Sequence, residues 1–238
     1  VNQSLRDEEM AAADRGNASA AASGRNQLPV RVVSFSLSYN RTAFTFVMPA
    51  DPDDVFDAIV EEQYAKDRFL PYWAERWPSS TPFFDYLMSR PPAPGILVCD
   101  LGCGLGVIAA ALAGSGHTVI ATDISADGCR FARCNISSNK GISRVVCADW
   151  RASPFNRRFD LIVASDILYE ERWIAPILDF VATDLAAGGE MLIADPCRRY
   201  WELFKRTATL RGFLIELRQR SIIEHGKTTV EIVSIRRP

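Results

Sequence analysis

The chain holds only two histidines, His117 and His225, among 238 residues, and its six cysteines form no C-x-x-C pair. No cluster of His, Cys, Asp and Glu has metal-site spacing, so no metal is expected. Apolar runs stop well short of the ~18 residues a membrane-spanning helix needs, and the N-terminus carries no apolar signal core. A soluble, cytoplasmic protein with buried free thiols is the expectation, Cys99 and Cys147 lying in apolar strand-like runs. An excess of either charge is missing too: 27 basic residues against 29 acidic ones leave a net charge of −2. That balance offers no footprint for nucleic acid or for an anionic membrane surface. The first 27 residues lack large apolar side chains and read as a disordered tail.

What is present is organised around Ile96 to Leu112. A short apolar run ends in Asp100, Gly102, Gly104 and Gly106 follow at alternate positions, and an Ala-rich segment then reads as a helix. Glycines at this spacing let a ligand approach the backbone, and the N–H groups of the first helical turn face it. The turn is therefore a candidate cofactor cradle. Ahead of it, residues 28–94 read as a hairpin (28–48), a helix near Val55 to Glu62 that Asp51 to Asp54 can cap, and an aromatic stretch, Leu70 to Ser80, before a helix over Thr81–Ser89. Composition alone leaves Trp73 and Trp77 open between core packing and a pocket wall.

Residues 95–238 alternate strand and helix. Strands are predicted at Ile96 to Cys99, Thr118 to Thr122, Arg144 to Cys147, Phe159 to Ala164, Glu190 to Ala194, Phe213 to Arg220 and Thr228 to Ile235; helices are predicted over Ala126–Ser138, Trp173–Ala187 and Arg199–Leu210. The pattern gives a Rossmann-like, doubly wound α/β sheet of seven strands. The last two strands have no room for a helix between them, so one of that pair runs antiparallel. An N-terminal hairpin and helix extension packs beside this sheet. Acids recur at the strand ends, the edge where such sheets bind ligands.

A phosphate-gripping loop needs a Lys after the glycines, and none is there. A dinucleotide fingerprint can be forced onto Gly104, Gly106 and Ala109 with Asp123 as the ribose acid, which keeps a nicotinamide dehydrogenase as a weak alternative. The register Asp100-x-Gly102-x-Gly104-x-Gly106 resembles instead the first motif of class I S-adenosylmethionine-dependent methyltransferases. Within that resemblance Asp123 corresponds to the ribose-binding acid and Asp149-Trp150 to the adenine-contacting pair, with Ser165 and Asp166 at the end of the fourth core strand. Residues 71–78, Ala164 to Glu171 and Asp195-Pro196-Cys197-Arg198 are similar to the seven-strand protein-lysine methyltransferases, especially the branch acting on the electron-transfer-flavoprotein β subunit. In that branch the tryptophan before proline, here Trp77, lines the cofactor pocket; Ser79-Ser80 stand where the branch has glycines.

The resemblance implies S-adenosylmethionine as cofactor and a lysine of a protein substrate as acceptor. Asp166 then orients the amine and helps remove its proton, with Tyr169 positioning it. A small-molecule amine as acceptor and a non-catalytic cofactor-binding domain are the alternatives, and a monomer is expected.

Overall fold

The computed structural model describes residues 30–58, 70–223 and 226–237. The tail expected over 1–27, the far end of the helix expected to reach Glu62, and His225 lie outside them. Strands β1 (Val32–Tyr39) and β2 (Thr42–Pro49) form the predicted hairpin, in register from Val32 against Pro49 to Tyr39 against Thr42. Asn40 and Arg41 both take positive φ, 46° and 66°, as a two-residue turn matched to strand twist demands. Helix α1 (Pro52–Ala58) follows, with the Asp51 side chain accepting from the Asp53 N–H at 3.0 Å.

Seven further strands make one sheet: β3 (Leu97–Leu101), β4 (Thr118–Asp123), β5 (Ser143–Cys147), β6 (Phe159–Ser165), β7 (Leu185–Asp195), β8 (Leu214–Ile223) and β9 (Thr228–Arg236). Their order is β5-β4-β3-β6-β7-β9-β8, and β9 runs antiparallel to both neighbours. Helices α2 (Ser80–Ser89), α3 (Val107–Gly114) and α4 (Ala126–Ser138) share a core with one face, α5 (Ile174–Asp184) and α6 (Trp201–Leu210) with the other. Central strands are apolar at successive positions because both faces are covered: along β6, Leu161 and Val163 pack to one side, Ile162 and Ala164 to the other. The chain winds outward from β3 to β5 and returns at β6 on the opposite side of β3. The carboxyl ends of β3 and β6 therefore flank the switch point, where this architecture leaves a crevice.

Two expectations are corrected. The helix expected to run to Ala187 ends at Asp184, because Leu185 pairs with Phe159 and opens the long β7, within which Gly188 takes φ 75° and the register against β6 shifts. Cys147 and Cys197 are exposed rather than buried; Cys147 closes the edge strand β5, which has a neighbour on one side only. Among the described residues no helix is long and apolar enough to cross a membrane, and no group of His, Cys, Asp and Glu is placed to hold a metal ion.

The hairpin is fixed to the sheet domain by side-chain amides, a device that hydrophobic pattern does not reveal. Asn135, fully buried on α4, accepts from the Val47 N–H at 2.7 Å, donates to the Val47 carbonyl at 3.0 Å and donates again to the Leu105 carbonyl at 2.8 Å. One helical turn later Asn139 accepts from the Thr45 N–H at 2.9 Å and donates to the Thr45 carbonyl at 2.7 Å. Four residues of helix rise about 6 Å and two residues of strand about 6.6 Å, so this pair of amides matches the repeat of a strand edge. Replacing Asn135 by Ala leaves the part-buried backbone groups of Val47 and the buried Leu105 carbonyl unpaired and is expected to cost about 2–3 kcal/mol in urea unfolding, whereas Asn139→Ala, nearer solvent, costs under about 1 kcal/mol. Equal and small losses would show that packing alone holds the hairpin.

Candidate functional site

The glycine turn between β3 and α3 is shaped by neighbours that leave no room for side chains at Gly102 and Gly106. Gly102, Gly104 and Gly106 all have positive φ, at 69°, 48° and 73°. A Cβ at Gly102 would stand 2.8 Å from an Ile167 methyl and 3.2 Å from the Trp150 ring; one at Gly106 would stand 2.7 Å from the Ala132 backbone. The first opens the turn toward a cavity and the last brings α3 against α4. The turn is then tied across to β4: Cys103 N–H donates to the Thr122 carbonyl at 2.9 Å, and Gly104 N–H to Asp123 Oδ2 at 2.9 Å. Asp100, at the end of β3, accepts from the Ala109 N–H at 2.9 Å and so fixes the first turn of α3. Burial pushes its carboxyl up to about 7 against the pull of that N–H.

A cavity of ≈ 370 Å³ opens at these strand ends, within the size range of small-molecule sites. Trp77, Asp100, Gly102, Gly104, Asp123, Trp150, Ser165, Asp166 and Tyr169 all line it, from five separate stretches of chain. Two predicted site residues do not. Gly106 serves the contact of α3 with α4, and Asp149 is engaged by Arg151, whose backbone N–H and Nε reach its two oxygens at 2.8 and 2.7 Å. Burial raises the Asp149 carboxyl, but these Arg151 contacts outweigh it and hold the group below its ordinary value.

The cavity has two chemically distinct ends. On the β4 side Asp123 spends one oxygen on Gly104 N–H and the other on Ser125 N–H, at 2.8 Å. A carboxylate has about four acceptor sites, so two remain for a ligand. Ser125, and not Asp123, caps α4 by accepting from Gly128 N–H at 3.1 Å. Burial raises the Asp123 carboxyl against the backbone donors of Ser125, Gly104 and Ile124. The Trp150 indole lies beneath Gly102, edge-on to Trp173 at 5.5 Å, and its buried N–H has no hydrogen-bond partner among the described residues.

On the β6 side the wall is aromatic. The Tyr169 ring lies 4.4 Å from that of Tyr72 and 6.2 Å from that of Trp173, and Trp77 stands edge-on to Tyr72 at 5.8 Å with its indole N–H on the Tyr72 carbonyl at 2.6 Å. Burial, then the negative charges of Asp123 and Glu170, push the Tyr169 phenol well above its ordinary value, so it stays a neutral donor near pH 7. Asp166 is buried and has φ 59°, a conformation that Asp tolerates better than most residues. Its backbone N–H donates to the Ala194 carbonyl at 3.0 Å, and its carboxylate lies between Ser79 N–H at 3.2 Å and Arg198 Nη1 at 2.8 Å. Tyr72 was not singled out from sequence, where its aromatic neighbours drew the attention; only the fold shows that Tyr72, Trp77 and Tyr169 share one wall.

Residues 98–189 match a family described as "Methyltransferase domain". The ubiquinone biosynthesis O-methyltransferase of Thiobacillus denitrificans is 34% identical over 82 residues, which cover 34% of this chain and 35% of that protein. Its counterpart in Xylella fastidiosa is 29% identical over 117 residues, 46% of each chain. This chain thus spans between a third and a half of the length of these curated relatives. Among solved structures, the N-methyltransferase NodS of Bradyrhizobium japonicum, in complex with S-adenosyl-L-homocysteine, aligns with a TM-score of 0.59 at 18% identity, covering 75% of this chain and 96% of that one, a likeness of fold alone. Over residues 98–189 the chain thus matches the methyltransferase-domain family, and its seven-stranded sheet has the fold of a solved N-methyltransferase.

Proposed function

We propose that the protein transfers a methyl group from S-adenosylmethionine to a nitrogen atom of a small-molecule acceptor. The observation that carries this reading is that one cavity joins the glycine turn and Asp123 at one end to Asp166 and Tyr169 at the other. The residues present fit the cofactor. Gly102 and Gly104 bring bare backbone to the cavity, Asp123 keeps two acceptor sites suited to a pair of hydroxyls, and Trp150 offers an aromatic face with an unpaired N–H. Trp77, Asp100 and Ser165 complete its surroundings, and Asp149 adds its charge from beside the cavity. Bound there, the cofactor supplies a methyl group on a sulfonium, which a nucleophile takes by in-line displacement.

An amine must first lose a proton, which from a reference pKa of ~10.4 costs roughly 4–5 kcal/mol at neutral pH. Asp166 is placed to orient the ammonium and take that proton; the N–C bond forms as the C–S bond breaks. Tyr169, neutral and hydrogen-bond competent, positions the nitrogen, and the aromatic wall excludes water. The curated relatives are O-methyltransferases named for a small-molecule pathway, which favours a small acceptor, while the buried carboxylate favours nitrogen. A second reading, a protein lysine as acceptor, is favoured by the Tyr72, Trp77 and Tyr169 wall, since rings beside an acid suit an aliphatic stem that ends in an ammonium. Six free thiols fit a cytoplasmic site of action.

Asp123→Ala is expected to weaken S-adenosylmethionine binding by roughly 1.5–3 kcal/mol in calorimetry while the protein stays folded; unchanged affinity would leave Asp123 as a clamp of the glycine turn and nothing more. Asp166→Asn tests the chemistry. Asn accepts the positive φ and keeps the shape, and Arg198 retains Asp195 as its counter-ion, so methyl transfer is expected to disappear with cofactor affinity nearly unchanged. Radiolabelled transfer into a lysate, separated by size, distinguishes the acceptors: label in the small-molecule fraction supports the first reading, and methyl-lysine released by acid hydrolysis of the protein fraction supports the second.

A further inference from the structure

Asp166 is held from behind by a residue that does not line the cavity. Arg198 follows Asp195-Pro196-Cys197 at the end of β7, where Cys197 takes φ 56°. Asp195, fully buried, accepts the Arg198 backbone N–H at 2.7 Å and Nη1 at 3.3 Å. The same Nη1 reaches Asp166 Oδ1 at 2.8 Å, and the guanidinium lies 5.2 Å from the centre of the Trp77 ring. One cation thus touches the candidate base and a wall of the cavity, which belong to different stretches of chain, and a third group anchors it. We propose that Arg198 is a positioning residue for methyl transfer, holding the Asp166 carboxylate charged and aimed while fixing the Trp77 ring beside it.

This rests on the reading of Asp166 as the group that meets the amine. The charged and titratable groups facing Asp166 are Arg198 and Asp195 from the β7 end, with Tyr72, Glu75, Arg76, Asp100, Asp123, Asp127 and Tyr169 lining the same cavity. Of the two cations among them, Arg76 and Arg198, it is Arg198 that pairs with the Asp166 carboxylate. Burial holds the Asp166 carboxyl above its ordinary value, and the Arg198 charge and hydrogen bond, with the hydrogen bonds of Ser79, pull it part of the way back. An opposite charge at this range lowers a carboxyl by about 1–3 pH units, and removing it returns that shift. The sign follows: without Arg198, Asp166 gains its proton at higher pH, and the acid limb of the activity profile moves up.

The test compares wild type with Arg198→Met, Arg198→Gln and Arg198→Lys. In Met and Gln variants the acid limb of kcat/KM is expected to rise by about 1–3 pH units, with Lys restoring most of it and S-adenosylmethionine affinity staying within about threefold, because the cradle lies at β3 and β4. A residue that only stabilises the fold would lower activity at all pH values without moving the limb, and that result would overturn the proposal. Titration of 13C-labelled aspartate carboxyls, with Asp166 assigned by its loss in Asp166→Asn, reads the same shift without turnover. If that shift appears but wild type methylates nothing, the proposed reaction fails and the charge-holding role stands. A wild-type Asp166 that remains protonated above neutral pH would overturn the proposal whatever the variants do.

Discussion

The ligand edge of this protein depends on the carboxylate of Asp123. It ties the end of β4 to the backbone of the glycine turn after β3, and its second oxygen fixes the entry to α4. Parallel strands in a doubly wound sheet share hydrogen bonds along their length, but beyond their ends the connections diverge and nothing in the ladder sets their relation. Asp123 supplies that relation at the switch point. The turn can take three positive φ values because all three residues are glycine, and it is held in that one shape by a charge-assisted bond, by the Cys103 bond to Thr122 and by the contact of Gly106 with Ala132. Asp100 performs the matching task at the helix side.

The sheet was legible in the sequence because burial on both faces leaves its central strands almost purely apolar, and because the short link before Thr228 forces a reversal of direction. The glycine turn was legible for a different reason, the pairing of an acid with glycines at fixed spacing. What stayed hidden depends on side chains whose partners are remote. Leu185-Ala186-Ala187 looks helical, yet Leu185 is taken by Phe159 across the sheet. Asp149 looks free at a strand end, yet Arg151, two residues on, reaches it first. Arg198 stood in a segment that the family resemblance marked, but its meeting with both Asp166 and Trp77 follows from a left-handed turn at Cys197 that no periodicity announces.

The two ends of the cavity differ in how they handle charge. At the Asp123 end the counterparts of the acid are neutral backbone N–H groups, so ligand hydroxyls can join without displacing anything charged. At the Asp166 end two buried carboxylates share one guanidinium, an arrangement in which each group is costly to leave alone. The cluster at Asp166 has the net charge of one carboxylate, and the rings of Tyr72, Trp77 and Tyr169 stand beside it. Preorganisation is thus built from hydrogen bonds on one side and from ion pairing on the other.

The amide clip of Asn135 has a consequence for how the two parts of the chain answer to a ligand. Its side chain holds β2 with two bonds and the carbonyl of Leu105, inside the glycine turn, with a third. The hairpin and the turn therefore share one rigid joint. By thermodynamic reciprocity, whatever factor a ligand of the turn adds to hairpin docking through this joint is the factor by which a loosened hairpin weakens that ligand. The hairpin, which does not line the cavity, is in this sense joined to the candidate site through the Asn135 amide.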